Sequence, residues 1–186
     1  NELHIIGLRA LAVVGGPEGL AAVKSAVKSG ESQVRDEAVR ILSNWPNNWP
    51  DDSEAGQALL KLATSAEQMP HRVLGLRGYL QYLRGNKKLN SEQKVAGIEG
   101  VRPNIKRAEE KKQAIAVLGE ARCAAALGLL TVFVEDRAVV EEAYSAMVQI
   151  AGKKTPGVST EKRREVLQTV TEKSKNNGTR QRAQRA

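Results

Sequence analysis

The stretch Val34-Arg35-Asp36-Glu37-Ala38-Val39-Arg40-Ile41-Leu42 decides the fold. Val34, Ala38, Ile41, Leu42 and Trp45 recur at i, i+4, i+7, i+8 and i+11, the spacing that lines up one face of an α-helix. The small Ala38 stands in the middle of that face, where it lets a neighbouring helix come close. Residues 3–11 repeat the pattern with Gly7, Arg9 and Leu11 beneath Ala38, Arg40 and Leu42, and residues 71–79 repeat it with Gly75, Arg77 and Tyr79. Weaker copies are residues 110–118, centred on Ala114, and 139–147, centred on Ala143. The small residue therefore returns at intervals of 31, 37, 39 and 29, irregular spacing that suits stacked repeats joined by variable loops.

Composition agrees with an all-α class. Of 186 residues, 41% are hydrophobic and 27% charged, enough to bury a core, and only 3% are aromatic, which favours helices over sheets. The formal charge of +8 is uneven: residues 153–186 hold ten Lys and Arg against three acids, a net +7, and the remainder is near neutral. Cys123 is the sole cysteine, so no internal disulfide supports the fold. The longest uncharged apolar run, residues 123–134, falls short of the roughly 20 residues of a membrane-spanning helix. No signal-like pattern opens the chain. A soluble piece, cut from a longer protein, is the expectation.

Helix starts are legible between the template copies. Pro17 follows Gly15-Gly16, Ser53 precedes Glu54-Ala55, Asn90 has Gln93 three residues on, and Ser159 follows Pro156-Gly157. Each template helix is thus joined to another, predicting about ten helices in five pairs.

Residues 24–38, Lys-Ser-Ala-Val-Lys-Ser-Gly-Glu-Ser-Gln-Val-Arg-Asp-Glu-Ala, resemble the HEAT-repeat pattern of a helix, a short polar turn and then Val-Arg-x-x-Ala. Residues 129–143 are a looser match without the Arg, and the resemblance covers most of residues 2–151. It implies an α-solenoid of about five HEAT-like helix pairs over residues 1–175. The ending Ile41-Leu42-Ser43-Asn44-Trp45-Pro46 looks most like bacterial HEAT regions that accompany enzymatic domains. In such pairs the Val-Arg-x-x-Ala helix comes second and lines the concave surface. The resemblance therefore implies that the first pair lacks its leading helix and that apolar surface is exposed there.

Arg9, Arg40 and Arg77 share one template position, about 200° round the helix from the small core residue. They are expected to point outward as a basic ladder for a carboxylate or phosphate partner; the alternative is three solvated arginines, one of them paired with Asp36. Trp45 falls on the apolar face of its helix and reads as core. Trp49, in the Asn- and Asp-rich loop after it, is a candidate docking residue.

After a last helix over residues 159–175, with Val166, Leu167 and Val170 as its stripe, residues 176–186 read as a basic, disordered tail. No pattern of residues signals catalysis. His4 and His71 lie in different repeats, Gly152-Lys153-Lys154-Thr155 lacks the first glycine of a P-loop, and Cys123 reads as a small buried hydrophobe. The expectation is a non-catalytic protein-interaction scaffold with no cofactor, metal or membrane contact. Its alternative is a nucleic-acid-binding module using the arginines and the basic C-terminal segment. Nothing in the sequence fixes a compartment.

Overall fold

The computed structural model describes residues 2–186, which hold eleven α-helices, two short 3-10 turns and no strand. Two compact units divide between Lys88 and Leu89.

The first unit comprises α1 (Glu2–Val14), α2 (Gly16–Ala26), α3 (Ser32–Asn44), a 3-10 turn at Trp45–Asn47, α4 (Ser53–Ser65) and α5 (Met69–Gly85). Gly15 and Gly16 take φ of 73° and 82°, left-handed values that glycine adopts without steric cost, and Pro17 then opens α2. Asp52, one residue earlier than the sequence suggested, caps α4 by accepting from the amides of Glu54 and Ala55, both at 3.1 Å. Val23, Val34, Ala38, Val39, Leu42, Leu59 and Leu80 form the core. Each larger one contributes about 1.5–3 kcal/mol by leaving water.

The α4–α5 packing explains the glycines of the third template copy. A Cβ on Gly75 would sit 2.5 Å from Leu62 Cβ and 2.7 Å from the amide nitrogen of Ala63, and one on Gly78 2.7 Å from the carbonyl oxygen of Ser43. Only glycine lets these helices lie so close. Reciprocally, Gly56 of α4 leaves room for the ring of Tyr82.

The second unit comprises α6 (Ser91–Val101), a 3-10 turn at Arg102–Asn104, α7 (Ala108–Ala121), α8 (Ala124–Val134), α9 (Val140–Ala151), α10 (Thr160–Lys173) and α11 (Asn177–Arg185). Asn90 and Gln93 form the capping box of α6, each side chain bonding the other's amide at 2.8 and 2.9 Å. Ser159 caps α10 through the Lys162 amide. Ala114 and Ala143 are fully buried, as their place in the template requires, and Cys123 is buried at the start of α8.

The expected disordered tail is a helix. Asn176 caps α11 by accepting from the Thr179 amide at 3.0 Å, and Thr179 and Ala183, four residues apart, bury one narrow stripe. Glu141 of α9 holds the approach: its carboxylate accepts from Ser174 Oγ at 2.6 Å and from the amides of Lys175 and Asn176 at 2.8 and 3.3 Å. The sequence expectation weighed large apolar residues alone. Small side chains and capping supply the order here.

Candidate partner-binding surface

The three template arginines are exposed, yet they do not form an even ladder. Arg9 Nε donates to Glu37 Oε1 at 2.7 Å, and Arg40 Nη1 lies 3.7 Å from Glu37 Oε2. The hydrogen bond from Arg9 holds the Glu37 carboxyl below its usual range, and the same contact raises the Arg9 guanidinium. Two arginines therefore converge on one acid that ties α1 to α3. Asp36, expected as a partner of Arg40, turns instead to α5, where it meets His71 Nε2 at 2.8 Å. Arg77 stands exposed on α5 with no ion pair among the described residues. What the sequence could not disclose is Glu37, which stands three residues before Arg40 but reaches a helix 28 positions away.

The tryptophans divide as their positions suggest. Trp45 is buried and its indole N–H donates to Asp52 Oδ2 at 3.0 Å. Trp49 is half-buried, donates to the Ala12 carbonyl at 3.3 Å, and lies so close to Gly15 that a Cβ there would come within 2.3 Å of its ring. One edge of Trp49 thus serves the α1–α2 turn. Its other side borders a shallow hollow with Pro17, Leu20 and Pro50.

A larger feature lies on α1. Leu3, Ile6, Leu11, Val13 and Val14 are all exposed; Leu3, Ile6, Val13 and Val14 share the side opposite Leu8, the helix's one buried residue, and Leu11, three residues on from Leu8, lies at the border of that face. The equivalent template positions make the contrast plain. Leu3 is 85% exposed where Val34 is 0% and His71 7%; Val14 is 73% exposed where Trp45 is 2%. A Cβ on Gly7 would meet nothing within 4 Å, whereas its counterpart Gly75 is pressed against α4. Unequal exposure of equivalent positions marks a surface built for packing and uncovered among the described residues. The signal was in the sequence, because apolar residues occupy two opposed faces of α1.

A second feature is a groove of about 370 Å³ between α2 and α4. Val27, Leu42, Ala58 and Leu62 line it, with Lys28 and Lys61 on its rim and the Lys24–Glu54 ion pair, 2.9 Å, across it.

Among the described residues, no cluster of His, Cys, Asp or Glu is arranged to hold a metal ion, and no helix is long and apolar enough to cross a membrane. No family model, curated protein or solved structure matches the chain.

Proposed function

We propose that this chain is a non-catalytic protein-interaction module, a HEAT-like α-solenoid whose partner seats on α1. The observation that carries the reading is the apolar face of α1. Leu3 and Val14 face solvent at positions that are buried in α3 and α5, and Ile6 and Val13 extend the exposed apolar surface next to them. Contiguous exposed apolar surface of this kind favours association with another protein. Arg9 and Arg40, converging on Glu37, border the same helix and add polar rim contacts rather than a free cationic strip.

The nucleic-acid reading has less support. Of the basic groups it would use, Arg9 and Arg40 share Glu37, Arg180 bonds Asn177, and Arg182 Nη2 donates to Ser145 Oγ at 3.1 Å. Arg77, Arg164 and Arg185 remain to offer, with the lysines.

The test is a Leu3→Asp, Val14→Asp double variant. Both side chains are exposed, so each change should move stability by only about 0.5 kcal/mol, while affinity for a captured protein partner should fall at least about tenfold, by the usual weight of buried apolar anchors. A variant that binds every partner as the parent does would defeat the reading. Binding of DNA or RNA that weakens steeply with salt and ignores these changes would favour the alternative.

A further inference from the structure

We infer that the groove between α2 and α4 binds a single-chain anionic amphiphile, a hydrocarbon chain ending in a carboxylate or a phosphate. This site is separate from the α1 face and does not depend on the interaction reading above. Its floor is apolar: Leu42 of α3 is buried beneath it, and Val27, Ala58 and Leu62 stand half-buried along its walls. The volume of about 370 Å³ is that of a small-molecule site.

Charge selects the occupant. The Lys24–Glu54 ion pair, 2.9 Å, spans the groove. Lys28 stands four residues beyond Lys24, and Lys61 seven beyond Glu54, so the groove runs on from that pair towards both. Both lysines are exposed, and neither has a hydrogen bond or ion pair among the described residues. Three lysines against one acid leave the lining with two uncompensated positive charges. A lysine stem packs along an apolar tail while its ammonium stays in water, where it meets an anionic head. A polypeptide strand is a poorer occupant. The walls are helices whose backbone groups bond one another, so the N–H and C=O groups of a strand would be buried there without partners. A hydrocarbon chain carries no such groups.

The second unit supplies a contrast. Its groove between α8 and α10, about 470 Å³, also has an apolar floor, formed by Leu127, Met147 and Val166. There, however, Glu135 and Glu165 balance Lys162 and Lys173, and Lys162 pairs with Glu165 at 2.9 Å. Shape and apolarity alone would fill both grooves. Charge confines an anion to the first.

The test is titration of the full chain with sodium decanoate below its micelle concentration, followed by calorimetry and amide chemical shifts. Saturable binding is expected, with affinity rising roughly fourfold per methylene from octanoate to dodecanoate. Shifts should fall in residues 24–28 and 57–66 and spare residues 124–135. Decylammonium should bind at least about tenfold more weakly, and Lys28→Glu with Lys61→Glu should lower decanoate affinity at least about tenfold. Both lysines are exposed, so melting should stay near that of the parent. Decyl phosphate identifies the head: binding at least about tenfold tighter than decanoate assigns a phosphate, and equal or weaker binding a carboxylate. The Leu3→Asp, Val14→Asp variant, altered on another face, should bind decanoate as the parent does. Absence of saturation overturns the proposal, as does equal affinity for decylammonium or undiminished affinity in the double lysine variant. Loss of binding in the α1 variant, or shifts centred on residues 124–135, would place the ligand elsewhere and overturn it too.

Discussion

Helix α1 and helix α11 invert the usual relation between composition and burial. Helix α1 carries Leu3, Ile6, Leu11, Val13 and Val14 and leaves them in solvent, while α11, which has no large apolar residue, buries Thr179 and Ala183 against its unit. Apolarity supplies a driving force only where a surface of matching shape is present. Helix α11 has one, together with Asn176 as a cap and Glu141 as an anchor for the segment leading into it. Helix α1 has the stripe and, on that side, no described neighbour. Order at a helix therefore depends on fit and on satisfied polar groups as much as on transfer free energy.

The largest expected effect separates the two glycines that share a template position. Gly75→Leu forces a side chain into the backbone of α4 and should destabilise the first unit by about 3 kcal/mol, whereas Gly7→Ala should stabilise it by about 0.5–1 kcal/mol through helix propensity alone. Chemical denaturation of the two variants checks both signs. Equal costs would mean that α1 is packed on its outer side, and the contrast with α5 would disappear.

An intermediate effect concerns the anchor of α11. Glu141→Ala removes the acceptor for Ser174 Oγ and two amides, and should cost about 1–2 kcal/mol with faster amide exchange confined to residues 174–185. Burial raises the Glu141 carboxyl, but the hydrogen bonds from Ser174, Lys175 and Asn176 outweigh it and bring it below its usual value. A folded-state pKa lower than the unfolded one means that this contribution is complete above about pH 4.5 and is lost as pH falls through the depressed value. Protection of α11 should fade on acidification over that range. In Glu141→Gln that pH dependence should be absent, and its persistence would assign the acid sensitivity to another group.

Much of the fold was legible because helical periodicity and caps are local. The template at residues 34–42, the Asn90–Gln93 box and the Ser159 cap all read from neighbouring residues, and Ala38, Ala114 and Ala143 are buried where the repeat placed them. Helix α11 was missed because its support comes from Glu141, more than thirty residues away. The candidate site was half legible. Outward pointing of Arg9, Arg40 and Arg77 follows from the helix angle, but the convergence of two of them on Glu37 depends on how α1 lies on α3. The uncovered stripe was legible in part, since apolar residues occupy more than one side of α1, and comparison of burial at equivalent positions shows which side lies in solvent.

The smallest expected effect lies within the arginine set. If the three were equivalent solvated groups, Arg9→Glu, Arg40→Glu and Arg77→Glu would shift stability alike. The structure makes them unequal. Arg77→Glu removes an unpaired surface charge and should stay within about 0.5 kcal/mol of the parent. Arg9→Glu both deletes the 2.7 Å contact and sets a second carboxylate beside Glu37, so it should lower the melting temperature more, and 1 M salt should narrow the gap by screening the exposed charges. Arg40→Glu should fall between them, because its contact with Glu37 is longer, 3.7 Å. The Glu37→Gln background decides the cause: there the three substitutions should become alike. If the order Arg9, Arg40, Arg77 survives in that background, Glu37 is not what distinguishes them, and the local backbone of α1 must be.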